Sequence, residues 1–262
     1  MEYQRIKVTF EENVARLTLN HPEVLNAVSL QMIRELNQVL NEIEEPAAGV
    51  RSLLITGEGR GFCVGANLTD SEGGMGEAKK ELPLKEWYDP FFRRLRDFSL
   101  PIVIAINGPA AGVGVSLALM GDLVLAARSA FFLQAFRHIG VIPDGGSTFV
   151  LPRLIGWPRA LEMSLLGERI SAEKALEWGM INRVYDDNQL MSEAWNLARS
   201  LASGPTVALG LIRKAYWKSM DNTYENQLQV ESDYQELARK TEDYREGVAA
   251  FRERRSPQFT GK

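Results

Sequence analysis

Three short runs of almost wholly apolar residues constrain the fold of this chain more than any other feature: Leu53-Leu54-Ile55 within 50–56, Ile102–Ile106 and Leu123–Ala127. Runs this short, without polar alternation, read as strands covered on both faces, as strands of parallel sheets are. Helical spacing fills the gaps. Ser29 is placed to cap a helix burying Ile33, Leu36, Leu40 and Ile43, which Pro46 and Gly49 stop. Leu84, Trp87, Phe91, Leu95 and Phe98 make a second helical face. Strands and helices thus alternate through the first ~130 residues, which argues an α/β fold with substantial parallel sheet. The start of the chain alternates as a hairpin, with Ile6, Val8 and Phe10, then Val14, Leu17 and Leu19, joined by Glu11-Glu12-Asn13. The polar stretch 70–83, with Glu72-Gly-Gly-Met-Gly76, is expected to be a mobile surface segment.

From Gly156 onward the pattern turns helical. Ser171 caps a helix through Trp178 that Gly179 closes, Ile181–Tyr185 is a last short strand, and helices are expected over 187–202, 206–220 and 223–241. Gly204-Pro205 is the clearest break. The last of these helices carries an apolar edge of Leu228, Tyr234 and Leu237 among many charges, which suits packing against a sheet or another subunit. The expected division is a core over 1–197 and a helical oligomerisation region over 198–262.

Composition excludes several classes. With 45% hydrophobic and 24% charged residues, the chain can bury a core and is not intrinsically disordered. Thirty Lys+Arg against 34 Asp+Glu leave no basic stripe for nucleic acid, and Arg252-Glu-Arg-Arg255 is interrupted by Glu253. The single Cys63 rules out a disulfide framework, and His21 and His138 are too far apart to suggest a zinc site. No charge falls between Phe98 and Gly121, but Asn107-Gly108-Pro109 breaks that stretch, so it is read as strand, turn and buried helix rather than a membrane span. The first residues lack the apolar core of a signal peptide, so the expected location is the cytoplasm.

Two loops share a character suited to chemistry. Gly61–Leu68 and Asn107–Leu117 each follow an apolar strand and are crowded with glycine. Glycine lets a backbone come close to a ligand, and two free N–H groups aimed at one point form an oxyanion hole. On spacing alone, tight strand-to-helix turns explain both loops more economically. Phosphate motifs fail: a dinucleotide fingerprint from Gly112 and Gly114 would need glycine where Leu117 stands, and no Gly-Lys-Ser or Gly-Lys-Thr occurs. A nucleophile elbow would need glycine at Ala118. Pro143-Asp144-Gly145-Gly146 reads first as a β-turn, with Asp144 able to cap the following helix.

The ordered set changes this picture. Leu25-Asn-Ala-Val-Ser29, Gly61-Phe-Cys-Val-Gly-Ala-Asn-Leu68, Asn107-Gly-Pro-Ala-Ala-Gly-Val-Gly114, Gly140-Val-Ile-Pro-Asp-Gly-Gly146 and Leu151-Pro-Arg-Leu-Ile-Gly156 closely resemble the enoyl-CoA hydratase/isomerase (crotonase) superfamily. Glu177-Trp-Gly-Met-Ile-Asn182 and Glu246-Gly-Val-Ala-Ala-Phe251 agree. The resemblance spans residues 5–261. It implies a spiral of β-β-α units whose helical carboxyl end drives trimers, often paired into hexamers, and a substrate that is an acyl-CoA thioester. Coenzyme A would then arrive as part of the substrate, with no resident cofactor or metal.

Residue by residue, the resemblance implies oxyanion donors at the Ala66 and Val113 amides. Gly65, Ala66, Asn67 and Leu68, with Leu25 and Gly112, would lie along the coenzyme. Most relatives carry glycine at the position of Val113, which keeps the N–H but crowds the pocket. The two glutamates with which hydratases of this family handle water fall at Ser116 and Phe136, so both carboxylates are missing. Asp144 matches the catalytic aspartate of the phenylacetate-pathway epoxide and enoyl-CoA isomerases, a branch that the flanking Gln134–Gly146 and Leu165–Glu173 also resemble. A lone carboxylate suits a proton shift that moves a double bond or opens a strained ring. Two alternatives stand beside it: a hydratase or lyase pairing Asp144 with a second acid, and a non-catalytic acyl-CoA-binding protein. Trp87, Tyr88, Phe91 and Phe136 either line the acyl pocket or belong to the core. Arg254 and Lys262 are placed where a neighbour's basic tail could meet the coenzyme phosphates.

Overall fold

A computed structural model describes residues 3–68 and 84–262. The segment Glu72–Gly76 lies outside them. The expected hairpin is β1 (Ile6–Glu11) against β2 (Val14–Leu19), in a register that opposes Ile6 to Leu19. Its turn places Glu12 and Asn13 at φ 48° and 62°, the paired left-handed geometry that matches the twist of two-residue hairpins. β2 is the pivot of the sheet. One side pairs antiparallel with β1 and the other parallel with β3 (Ser52–Gly57), Val14 opposing Ser52. β4 (Ile102–Ile106) and a strand over Leu123–Ala127 continue the parallel order as the apolar runs require, and Arg183–Tyr185 closes the far edge. Every residue of β4 is buried.

A second sheet of three short strands stands apart: β5 (Ala110–Ala111), β7 (Phe131–Leu133) and β8 (Ile170–Ser171). With β6 for Leu123–Ala127 and β9 for Arg183–Tyr185, the large sheet has the order β1-β2-β3-β4-β6-β9. β8 corrects the reading of the chain after Gly156 as helical apart from one strand. Its two residues pair antiparallel with β7, nearly 40 positions earlier.

Helix α1 (Leu30–Glu44) begins as expected, the Ser29 hydroxyl accepting the Met32 N–H at 3.1 Å. It buries Met32, Ile33, Leu36, Val39, Leu40 and Ile43. The second helical face opens with a π-helical turn, Leu84–Tyr88, before α2 (Asp89–Asp97), and Pro90 sits at the join, where its missing N–H costs least. The helices that follow are α3 (Val113–Ala118), α4 (Ser147–Ile155), α5 (Trp157–Leu166), α6 (Ala172–Glu177) and α7 (Leu190–Ala202). Ala194, Ala198 and Ala202 let α7 lie close over β3 and β4, with the Ser52 hydroxyl donating to the Ala198 carbonyl at 2.8 Å. The expected boundary at 197/198 therefore falls inside a helix that covers the sheet.

The tail comprises α8 (Thr206–Ser219), α9 (Tyr224–Arg239) and an unforeseen α10 (Glu242–Glu253). Arg213 of α8 fixes this tail to the core. Its buried guanidinium holds Asp122 at 2.8 Å and the carbonyls of Leu95, Arg96 and Phe98, which end α2. Among the described residues no helix is long and apolar enough to cross a membrane.

Candidate functional site

The two glycine loops fold onto each other. The Cys63 N–H donates to the Pro109 carbonyl at 3.1 Å, and the Ala111 N–H returns to the Cys63 carbonyl at 2.9 Å. A Cβ on Gly108 would sit 2.2 Å from the Arg60 carbonyl oxygen, and one on Gly114 2.1 Å from that of Cys63. Backbone contact at that range admits no side chain, so these glycines weld the loops together. Burial pushes the Cys63 thiol up to about 12, which leaves it a packing group.

Asn26, which sequence reasoning passed over, holds the first loop. Leu25 and Asn26 both take left-handed backbone, at φ 51° and 58°. The buried Asn26 amide then donates to the carbonyls of Glu58 (3.0 Å) and Gly61 (2.8 Å) while its oxygen accepts the His21 N–H. Leu25 packs over Gly61. The only sequence signal was an Asn within Leu25-Asn-Ala, a residue type that tolerates left-handed backbone.

Ala66 lies on a short parallel bridge with Val28. The bridge bonds run from the Val28 N–H to the Gly65 carbonyl and from the Asn67 N–H to the Val28 carbonyl, both 2.8 Å. Alternation along an extended strand then turns the Ala66 N–H to the opposite side. On the second loop, Gly112 (φ 52°, ψ −127°) donates to Leu133, and Val113 becomes the first residue of α3, where amides have no partner within the helix. Among the described residues neither the Ala66 nor the Val113 N–H has an acceptor. The loops meet just before these residues: a Cβ on Gly112 would lie 3.6 Å from the Gly65 Cα and 3.9 Å from the Phe136 ring. Asn67 is half-buried and Leu68 exposed at the rim.

Asp144 is tied to the same helical turn. The Ser116 hydroxyl, three residues after Val113, donates to the Asp144 main-chain carbonyl at 2.8 Å. Cβ positions built on Gly145 would fall 2.8 Å from Ser116 Cβ and from the Phe92 ring, so only glycine allows the turn to seat there. The carboxylate does not cap the following helix, contrary to that reading of the turn: α4 starts from Gly146 in left-handed backbone, with no side-chain cap. Instead, Asp144 Oδ1 is buried without a partner among the described residues. Burial, helped by the negative charge of Asp89, pushes this carboxyl up to about 6. A cavity of about 700 Å³ opens behind the turn, between Asp89, Phe92, Gly145, Gly146 and the α8 residues Lys214 and Trp217. Neither Ala66 nor Val113 lines it.

The aromatic candidates separate. Phe136 faces Gly112, Tyr88 donates to the Val28 carbonyl at 3.2 Å, Trp87 stacks on Arg34, and Phe91 is core, edge-on to Phe92. His138 is bound to the Gly167 carbonyl at 2.9 Å. The carboxyl tail folds back on its own chain: Asp243 accepts the N–H groups of Thr260 and Gly261, and its own N–H donates to the Lys262 carbonyl. Among the described residues no His, Cys, Asp and Glu group could hold a metal.

Comparison with known proteins points the same way. The family profile described as Enoyl-CoA hydratase/isomerase matches residues 9–262. A 1,2-epoxyphenylacetyl-CoA isomerase of Escherichia coli (strain K12) is 48% identical over 96% of this chain and 97% of its own. A protein of Rhodobacter capsulatus named "Probable enoyl-CoA hydratase" is 39% identical over the full length of both. The crystal structure of an enoyl-CoA hydratase subunit from Geobacillus kaustophilus HTA426 superposes with a TM-score of 0.92, at 36% identity and full coverage of both chains.

Proposed function

This chain belongs to the enoyl-CoA hydratase/isomerase family, and we propose that within it the protein is an acyl-CoA isomerase using Asp144 as its acid and base. The observation that carries this reading is the link between Asp144 and α3. One hydrogen bond, from the Ser116 hydroxyl to the Asp144 main-chain carbonyl, ties the backbone that carries this carboxyl to the short helix whose first amide, on Val113, has no acceptor among the described residues. In this reading the Val113 and Ala66 amides receive the thioester oxygen, each such donor being worth about 3–4 kcal/mol to the transition state. Gly65–Leu68, Leu25 and Gly112 lie along the coenzyme.

The proposed reaction balances on one group. The Asp144 carboxylate removes a proton from the carbon beside the thioester. The released electron pair forms the enolate, whose negative oxygen rests on the two amides. The protonated carboxyl then returns the proton at the γ carbon, so the double bond moves and Asp144 regains its charge. Where the β carbon carries an epoxide oxygen, the released pair forms the α,β double bond as the C–O bond breaks, and the freed ring oxygen, rather than the γ carbon, takes the proton from Asp144. Ser116 and Phe136, at the positions of the hydratase glutamates, offer no carboxylate to hold a water.

Asp144→Asn tests the reading: it should abolish exchange of the substrate's α proton into heavy water, and exchange persisting at the wild-type rate rejects the assignment. One observation favours a second reading. Asp89 lies close enough to raise the Asp144 carboxyl, so a second carboxylate stands near it that could serve a hydratase in place of the missing glutamates, and one relative is named a probable enoyl-CoA hydratase. Water addition to a trans-2-enoyl-CoA separates the two. As for assembly, we propose a homotrimer or a pair of trimers. Ile142, Trp157 and Leu165, and Tyr216 and Phe251 on the tail, are large apolar residues left exposed, Phe251 at 85%.

A further inference from the structure

Three walls of the cavity behind the Asp144 turn are Asp89 and Phe92 from α2, Met120 from just beyond α3, and Lys214 and Trp217 from α8. One side chain ties all three together. Arg213, whose side chain is 3% exposed, donates to the carbonyls of Leu95 (2.6 Å), Arg96 (2.6 Å) and Phe98 (2.9 Å) at the end of α2. Its Nε holds Asp122, two residues past Met120, at 2.8 Å. Asp122 is in turn anchored to the sheet. Its carboxylate accepts the Ile102 N–H at 2.7 Å, and its own N–H donates to the Ile102 carbonyl at 2.9 Å. A planar guanidinium that meets several carbonyls and a carboxylate at once sets direction as well as distance, which a point charge does not. Its charge also meets the negative end of the α2 dipole.

This clamp lies one helical turn from the Asp144 loop. Phe92, three residues before Leu95, is buried with its ring 2.8 Å from the Cβ position built on Gly145, the residue after Asp144. Asp89, three residues earlier again, faces the same cavity and is the charge that acts on Asp144. A helical turn is a stiff unit of about 5.4 Å, so the place of the Leu95 carbonyl decides that of the Phe92 ring. We propose that Arg213 is a positioning residue for Asp144: by holding the end of α2 against Asp122, it seats Phe92 on Gly145 and so fixes the turn that carries the carboxyl. The inference rests on the reading of Asp144 as acid and base, and adds a residue of the helical tail to that site. Arg213 acts through Phe92 rather than on the acyl group.

The test uses the full-length protein, below the melting range of every variant. It measures α-proton exchange of a trans-3-enoyl-CoA and calorimetric affinity for a saturated acyl-CoA. Arg213→Lys keeps a charge beside Asp122 but cannot span three carbonyls. It should lower kcat about 10-fold or more, with affinity within about 2-fold of wild type. Phe92→Leu withdraws the ring atoms nearest Gly145. In that background Arg213→Lys should lower kcat by less than about 2-fold, because the contact it works through is gone. Ser52→Ala loses a buried bond between β3 and α7, and should melt lower yet keep the wild-type kcat. Asp122→Asn keeps the carbonyl clamp but loosens its anchor, so it should lower kcat about 3-fold, and it carries the test if the lysine variant does not fold. Wild-type kcat in the folded variant, a loss confined to affinity, or the full loss in both backgrounds overturns the inference and leaves the isomerase reading intact. Exchange that survives Asp144→Asn, or none in wild type, removes that reading and this inference with it.

Discussion

Asp144→Asn should make the protein more stable while making it inactive, by an amount that depends on pH in a defined way. In the folded chain the carboxyl is raised from 3.8 to about 6, whereas the unfolded chain ionises it near 3.8. Between those values the unfolded state has released a proton that the folded state keeps, so stability falls as pH rises through the window and is level above it. The shift is about two units, which at 1.36 kcal/mol per unit sets a ceiling of about 3 kcal/mol. Asp144 is half-buried, and the solvent it retains reduces this to about 1–3 kcal/mol. Asparagine has the same shape and no charge to desolvate. At pH 8 the variant should therefore melt about 2–6 °C above wild type. At pH 4.5 most of that gap should close, because the unfolded carboxyl is then only partly ionised. Paired thermal melts across this range, read beside α-proton exchange at each pH, check both halves of the argument. A gap as large at pH 4.5 as at pH 8 would refute it, as would a variant that melts lower at pH 8.

Three further outcomes follow from single contacts. Asp89→Asn removes the like charge that helps hold the Asp144 proton, so the acid limb of the pH profile of kcat/KM should move to lower pH; an unmoved limb means the two carboxyls do not communicate. Ser116→Ala strips the Asp144 carbonyl of its 2.8 Å bond, and should cost about 1 kcal/mol in urea unfolding and lower kcat about 10-fold while calorimetry finds the thioester affinity unchanged. Gly114→Ala places a Cβ 2.1 Å from the Cys63 carbonyl oxygen. It should separate the two loops and cost upwards of about 3 kcal/mol by denaturant titration, whereas the same change at Gly146, whose Cβ position is open, should cost only its left-handed backbone strain of about 1–2 kcal/mol.

What could be read from the sequence followed the range of the forces involved. β3, β4 and β6 were legible because a strand buried on both faces has to be apolar throughout, and Ser29 was legible because a cap acts three residues away. β7 and β8 were not: three residues and two carry no period, and their pairing joins Phe132 to Ile170 across the fold. α10 escaped because Thr241 starts it by capping Tyr244 directly after Lys240 ends α9, with neither glycine nor proline to mark the join. Asp144 illustrates a subtler limit. Pro-Asp-Gly is a turn, as its composition says, but the meaning of its carboxyl lies in what surrounds it, an unpartnered oxygen and a second carboxylate from α2.

The amides of Ala66 and Val113 lie further beyond composition, since every residue but proline has one. What makes an amide available is the direction its neighbours bond, and that is decided by Val28 bridging Gly65 and Asn67, and by Gly112 reaching Leu133. Only the ordered motif encodes those partners, and the resemblance named the two residues because it carries whole loops rather than side chains. Arg213 is the converse case. Its identity is plain in the sequence, but its significance is the set of distant carbonyls, on Leu95, Arg96 and Phe98, that it holds, which only the folded chain displays. A site built from backbone direction and long-range hydrogen bonds is therefore reached from the sequence through family motifs, and beyond the family only through the geometry of the individual chain.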